Sequence, residues 1–324
     1  MKRNIAVIAG GDSQEYAISI KSSEQVVTLI DQNLYNAYLI NIRGKDWFCH
    51  YKDQKLSIDK NDFSFIIQGG AKINIDFALI IIHGTPGEDG ILQAYLDLVK
   101  IPYSTCGFFE SALAFNKNAC KLFLKEYGIL SPIAVIVRKN ENFDVNKIAQ
   151  KLTFPCFVKP NEGGSSFGTT KAKNRNELEE SIRLALNEDN EVIIEEFIEG
   201  TEVTCGVIKT KNNYYRLPPT EIVSKNEFFD YEAKYNGESD EITPARISEN
   251  KIKECQDISS YIYDVLNCKG IVRIDYIIKN DRFYFLEINT VPGMSSASII
   301  PQMAKVAKIS LTKVYTEIIE DNFK

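Results

Sequence analysis

Two short segments late in the chain carry the residues best suited to chemistry. Arg273 and Asp275 stand in one, Glu287 and Asn289 in the other, and Pro292-Gly293-Met294 follows at once. Two carboxylates and an amide are hard oxygen ligands, which suit Mg²⁺ carrying nucleotide phosphates. Each pair is spaced by two, so in a strand its members share a face. If the two strands form a hairpin with Asp275 beside Glu287, Lys279 faces Phe283 across a three-residue loop, Asn280, Asp281 and Arg282. A two-residue turn would send the acids to opposite faces unless a bulge corrected it. A hairpin with a merely polar outer face is the competing reading.

Lys159 ends a short apolar stretch and is followed by Gly163, Gly164, Ser165, Ser166 and Gly168. Glycines let main-chain N–H groups converge on phosphate oxygens, and a lysine adds a point charge. The Gly-Lys-Ser/Thr order of the P-loop is absent, and a flexible surface turn accounts for the loop equally well. In a third segment the apolar Ile193 and Ile194 give way to Glu195, Glu196, Phe197, Ile198 and Glu202. Its main chain can bond an adenine amino group while the Phe-Ile pair packs the ring, and Glu202 can hold ribose hydroxyls. A charged strand end is the plainer alternative. Gly10 and Gly11 turn into a helix whose N-terminus favours anions, but Glu15 there opposes a phosphate and suits a substrate ammonium. His83 heads the loop after another buried strand, where ligand-facing loops of parallel sheets lie; a lone histidine is also commonly structural. Residues 228–235 are polar and aromatic within a long connection, as in a lid or a self-packed Ω-loop.

The elements that must hold these groups begin with a βαβ rhythm: strands at 5–9, 37–42 and 77–82, with helices at 14–31 and 91–99. This predicts a small parallel sheet with right-handed crossovers. The run 77–82 is apolar throughout, as in a strand covered on both faces. A single helix is expected over 110–128, ended by Gly128 with Pro132 beyond it. Strands at 156–159, 169–172 and 192–196 and a helix at 175–187 follow, then a strand-rich region, a helix at 251–266, strands at 271–278 and 283–289, and a closing helix at 310–320. No internal repeat or low-complexity linker interrupts them. The fold class is α/β (α+β), and its parts are expected at 1–105, 106–190 and 191–324.

A chain of 324 residues is long for one core, so several subdomains are expected. Net charge is −6, which gives no reason to expect nucleic acid or an anionic membrane as partner. The apolar run before Gly10 is only five residues, too short for a signal segment. No stretch approaches the roughly 20 apolar residues a bilayer span needs. The seven cysteines are scattered without a C-x-x-C pair, which argues against a disulfide framework or zinc site and for reduced, cytoplasmic thiols. With only two histidines, His50 and His83, an all-histidine metal centre is excluded.

In this order the motifs resemble those of the D-alanine–D-alanine ligases of the ATP-grasp superfamily. The resemblance runs from Gly10 to 295–301 and is most specific at His83-Gly-x-x-Gly-Glu-Asp-Gly90, Gly164-Ser-Ser-x-Gly168, Asp230-Tyr-Glu-Ala-Lys-Tyr235 and Glu287-x-Asn-Thr-x-Pro-Gly-Met294. It implies an ATP-grasp fold in which an N-terminal parallel α/β subdomain precedes two lobes that sandwich ATP. Lys117 and Lys159, with Ser165 and Ser166, would contact phosphates; Glu195, Phe197, Ile198 and Glu202 would hold adenosine. Asp275, Glu287 and Asn289 would hold two Mg²⁺ ions, with Mn²⁺ as a substitute. Glu15 and His83 would bind the first D-alanine, and Lys234 and Ser298 the carboxylate of the second. Arg273 and the Gly293 N–H would stabilise the oxyanion, and Ser165 and Tyr235, linked to Glu15, would close the site. A bacterial, cytoplasmic homodimer supplying peptidoglycan precursor is implied. A second substrate of D-lactate or D-serine, or a catalytically silent ATP-binding regulator, are the alternatives; a nucleotide-independent binding module leaves the acids at 275 and 287 unexplained. Phe229 stands where the family commonly has tyrosine, and Thr85-Pro86 stiffens a loop that is often Gly-rich. Members that make D-alanyl-D-lactate commonly carry phenylalanine at the position of Tyr235. Tyr235→Phe is therefore expected to raise use of D-lactate relative to D-alanine in a competition assay; an unchanged ratio means that Tyr235 does not set this choice.

Overall fold

A computed structural model describes residues 2–164, 167–224 and 239–323. The first sheet is built on the most apolar segments of the chain. Strands β1 (Arg3–Gly10), β2 (Tyr35–Arg43) and β7 (Phe77–Ile80) are parallel, with β1 central and α1 (Tyr16–Leu29) joining β1 to β2. Ile5, Val7, Phe77 and Leu79 pack on one side of it and Ala6, Ile8, Ala78 and Ile80 on the other, which is why these strands read as unbroken apolar runs. The sheet is mixed rather than purely parallel. Strands β3 (Asp46–Tyr51) and β4 (Gln54–Ser57) extend it antiparallel beyond β2, in the order β4-β3-β2-β1-β7. Both are short, β4 is mostly polar and β3 lacks a regular apolar–polar alternation, so periodicity does not mark them. A small pair, β5 (Phe65–Ile66) and β6 (Lys72–Ile73), precedes β7, and α2 (Ile91–Leu98) follows it.

The expected single helix over 110–128 is two helices, α3 (Phe108–Phe115) and α4 (Lys117–Lys125). Asn116 between them leaves helical backbone (φ −81°, ψ 100°), and its side chain accepts the Ala119 N–H at 3.0 Å. Asparagine caps a helix well because its short side chain satisfies an orphan N–H. The cap restarts the helix and makes Lys117 its first residue.

The second sheet is antiparallel, β10-β9-β11-β8, from β8 (Ala134–Arg138), β9 (Cys156–Pro160), β10 (Thr170–Ala172) and β11 (Glu191–Glu196). Helices α5 (Val145–Lys151) and α6 (Arg175–Glu188) cover the face that carries Val158, Val192 and Ile194. Alternation then sends Phe157, Lys159, Ile193 and Glu195 to the opposite face. Because β11 belongs to this sheet, the change of sheet falls after 196, within ten residues of the expected boundary near 190.

The third sheet runs β15-β14-β12-β16-β17, with β13 also on β12. Its strands are β12 (Thr201–Lys209), β13 (Tyr214–Arg216), β14 (Thr220–Ser224), β15 (Ser239–Ile242), β16 (Gly270–Lys279) and β17 (Arg282–Asn289), backed by α7 (Glu249–Val265). Two last helices, α8 (Ile299–Val306) and α9 (Leu311–Glu320), pack Ile300, Val314, Tyr315 and Ile318 against Ile5, Val7 and Val26 of the first sheet and α1.

The β16–β17 hairpin corrects the expected three-residue loop. Lys279 pairs with Arg282, so the turn is only Asn280 and Asp281, at φ 48° and 60°. Asn and Asp tolerate this left-handed region, and positive φ at both central residues matches the twist of the strands. A register shift between Asp275 and Tyr276 then restores the acid pair: Tyr276 faces Phe285, Asp275 faces Glu287, and Leu286 is the extra residue. The required facing is thus reached through the turn-plus-bulge route.

β16 starts at Gly270, whose φ of +71° suits glycine and where a Cβ would lie 1.9 Å from the Ser104 carbonyl oxygen. Gly270→Ala is expected to cost about 2–4 kcal/mol, from left-handed strain plus overpacking, read as a lower denaturant midpoint. A midpoint equal to the parent's would show that this junction is free to move.

Candidate active site

A cleft of about 460 Å³ opens between the second and third sheets. Lys117, Lys159, Glu195, Phe197, Ile198 and Glu202 line it. Arg273, Asp275 and Glu287 line it from the third sheet. Four other expected residues, Ser165, Ser166, Lys234 and Tyr235, and the 228–235 segment, lie outside the described residues.

The deepest feature of the cleft is a buried charge cluster. Glu195 is only 3% exposed and accepts hydrogen bonds from the ammonium groups of Lys121 and, at 2.6 Å, Lys159. Lys159 sits on β9 opposite Ile193, one step diagonally from Glu195, close enough for cross-strand pairing. Burial alone would raise the Glu195 carboxyl, but the two lysines outweigh it and hold it well below its ordinary range. Burial also opposes the Lys159 charge, yet Glu195 and then Glu287 hold that ammonium above its usual value. Beside the cluster, Lys117 donates to the Gly163 carbonyl at 2.6 Å, which fastens the glycine-rich loop to α4. Phe197 packs near Phe157, ring centres 5.9 Å apart, with the Lys171 ammonium 4.2 Å above its ring.

Opposite this wall, Arg273 grips Asp275 with two parallel bonds of 2.9 and 2.8 Å. Asn289 faces Arg273 across the strands and donates to Asp275 at 3.2 Å, and the Thr204 hydroxyl donates to the other Asp275 oxygen. Asp275, Glu287 and Asn289 therefore share one face of the hairpin. Among the described residues no group of three or more His, Cys, Asp or Glu forms a ready metal cage. Two carboxylates and one amide oxygen are nevertheless a donor set that fits a hard divalent ion whose coordination phosphates complete.

Glu15, His83, Gly293 and Ser298 are not in the cleft lining but beside it, where the first sheet meets the 290–298 segment. Glu15 stands just before α1 and close to the glycine-rich loop: a Cβ on Gly164 would come within 2.5 Å of its Oε2. His83, 4% exposed, donates from Nδ1 to the Val291 carbonyl at 2.7 Å, which leaves Nε2 to accept from the Ser22 hydroxyl at 3.4 Å. Burial lowers its pKa, with Glu15 pulling the other way, so the ring is neutral at physiological pH. Gly293 passes close to Ser298, where a Cβ would be 2.9 Å from Oγ, and the Ser298 hydroxyl is 2.8 Å from that of Ser295.

Four site residues escaped the sequence reading. Lys121 lies one helical turn beyond Lys117, a spacing that could have marked it. Glu88 sits inside the His83–Gly90 motif. It is 8% exposed, and burial, then the charge of Glu15, pushes its carboxyl up to about 8. Ser22 and Thr204 carry no signal in a single sequence.

Two β-lobes closing on a cleft, one presenting lysines and the other paired carboxylates, define the ATP-grasp class of enzymes. Within that class the chain belongs to the D-alanine–D-alanine ligase family. The family description "D-ala D-ala ligase N-terminus" matches residues 4–106 and "D-ala D-ala ligase C-terminus" matches residues 123–320. The chain is 46% identical over 325 aligned positions to the D-alanine–D-alanine ligase of Bacteroides fragilis, covering all of both chains. It is 48% identical to that of Phocaeicola vulgatus, with the same coverage. Among solved structures, the VanG D-Ala:D-Ser ligase from Enterococcus faecalis superposes with a TM-score of 0.88 at 32% identity over 99% of each chain. The D-alanine–D-alanine ligase of Bacillus anthracis complexed with ATP gives 0.79 at 29% identity, over 99% of this chain and 97% of that one.

Glu195→Gln leaves two buried ammonium groups without their counter-charge and is expected to cost about 3–5 kcal/mol at neutral pH. Because the folded-state pKa of Glu195 is depressed, its contribution is present above the ordinary carboxylate value of 4.5 and is lost as pH falls through the folded pKa. The stability gap between parent and variant should shrink on acidification; a gap that widens contradicts the ion cluster.

Proposed function

We propose that the protein joins two D-alanines into D-alanyl-D-alanine with hydrolysis of ATP to ADP and phosphate, supplying peptidoglycan precursor. The observation that carries this reading is the facing of Lys117, Lys159 and the Lys121–Glu195 pair against Asp275 and Glu287 across one cleft, in a chain of this family.

The three lysines offset the triphosphate charge, and Phe197, Ile198 and Glu202 hold the nucleoside. The carboxylate of the first D-alanine attacks the γ-phosphorus, ADP leaves, and a D-alanyl phosphate forms. Glu15 binds the ammonium of that D-alanine, with neutral His83 behind it. The free amine of the second D-alanine then attacks the carbonyl carbon. Arg273 and the Gly293 N–H stabilise the oxyanion of the tetrahedral intermediate, where charge develops most strongly. Collapse forms the amide bond and expels phosphate, and the proton shed by the amine is managed by the lid residues Ser165 and Tyr235. Ser298 and Lys234 grip the second carboxylate. Asp275, Glu287 and Asn289 would hold two Mg²⁺ ions (or Mn²⁺), which supply charge neutralisation on the phosphates. Water must be excluded, because an acyl phosphate hydrolyses readily.

The reading includes a cytoplasmic homodimer. Its support is the exposed apolar set Ile91, Leu98, Phe108 and Phe109 on the neighbouring helices α2 and α3. No helix among the described residues is long and apolar enough to cross a membrane. D-serine is the second substrate to try next, because a D-Ala:D-Ser ligase superposes on nearly the whole chain.

The deciding assay follows phosphate release from Mg-ATP with D-alanine, with L-alanine in parallel and mass detection of product. D-alanine-dependent release with the dipeptide mass is expected; ATP binding with no release on either enantiomer overturns the reading. Glu287→Gln is expected to lower turnover at least ~10²-fold by weakening metal-assisted charge neutralisation. Near-parental turnover in that variant removes Glu287 from the metal set.

A further inference from the structure

Both peptide groups of Val291 are held by side chains from a distant part of the sequence. Its N–H donates to Glu88 Oε1 at 3.1 Å and its carbonyl accepts from His83 Nδ1 at 2.7 Å, contacts spanning 203 and 208 positions. The second Glu88 oxygen, Oε2, accepts the Gly84 N–H at 2.8 Å. One carboxyl group thus ties its own loop to the 290–294 loop of the third sheet. Two residues further on, the Met294 N–H donates to Ser22 Oγ at 3.3 Å. The backbone is therefore fastened on both sides of Gly293, at Val291 and at Met294. Val291, Glu88 and Ser22 are all buried, so no solvent stands ready to replace these bonds.

We infer that Glu88 is a positioning residue, holding the 290–294 loop so that the Gly293 N–H stays aimed at the carbonyl oxygen during acyl transfer. This rests on the ligase reading above. Glu88 is buried and both its oxygens are engaged by backbone N–H groups, so it acts through Val291 rather than on substrate. Oxyanion donors act only when they are fixed before charge develops, and the short loop after Asn289 has few internal bonds to fix it. Each Glu88 oxygen accepts one N–H, Val291's and Gly84's, and these two bonds favour the carboxylate against the burial that raises its pKa; an amide nitrogen could not accept either.

The test compares Glu88→Gln and Glu88→Ala with the parent in the full chain. Amide hydrogen exchange is read over 290–294, and dipeptide and phosphate are measured separately under Mg-ATP and D-alanine. Glu88→Gln keeps the shape but sets an NH₂ against one N–H donor. It should raise exchange in 290–294 and lower kcat for dipeptide by ~10–100-fold, with KM for ATP unchanged. Phosphate release should outrun dipeptide formation, as acyl phosphate is lost to water. Glu88→Ala should show larger changes in every readout. Unchanged exchange in 290–294, faster exchange with parental kcat, or a parallel loss of ATP affinity and thermal stability overturns the proposal. If the parent itself makes no dipeptide, the ligase reading fails, and the exchange arm alone decides whether Glu88 holds the loop.

Discussion

Glu195 keeps its charge almost out of reach of water, between ammonium groups that arrive from two different elements, α4 and β9. A buried carboxylate is tolerable only when its surroundings replace what hydration supplied. Here they do so twice over, and the surplus sets the character of the cleft. The cluster carries one more positive charge than negative, and Lys117 adds another at the head of the same helix. This wall is therefore built for a polyanion. The facing wall carries Asp275, paired by Arg273, and Glu287, whose charge acts on Lys159. The cleft therefore depends on two walls of unlike charge that face one another.

That dependence places demands on local backbone chemistry. Lys117 and Lys121 share a face of α4 by their i, i+4 spacing, and Asn116, which ends α3 and caps α4, gives that helix a direction of its own. Asp275 and Glu287 face one another only because Leu286 is extruded from the ladder. Both are single-residue devices, a cap and a bulge, and both act by re-aiming side chains that are already correct in type. Arg273 meanwhile shields Asp275 with a two-point contact, so an acid in the cleft is not left unpaired.

The same devices mark the limits of what the sequence discloses. Strands with unbroken apolar runs, such as 77–82, declare themselves because burial on both faces leaves no room for polar residues. The acid pair was legible in type and in facing, since spacing by two fixes a shared face. The turn was not, because Asn280 and Asp281 can enter either a two-residue or a longer loop and only the bulge decides. Helices α3 and α4 read as one because their apolar periodicity continues through Asn116. Ser22 and Thr204 were invisible for a different reason: their partners lie far away in sequence; Glu88 stood inside the His83–Gly90 motif, but its partner Val291 is 203 positions away. Lys121 was the avoidable omission, one helical turn from a residue already chosen.

The docking of α8 and α9 on β1 and α1 means that the first sheet is finished by elements far along the chain from it. One of its faces, bearing Ile5, Val7, Phe77 and Leu79, is complete in sequence long before Val314, Tyr315 and Ile318 exist to cover it. On the ribosome that apolar face must wait through the synthesis of two further sheets, during which it is open to chaperones or to wrong partners. One face of the first sheet is thus sealed by residues about 300 positions further along the chain, a long-range closure that local folding alone cannot supply.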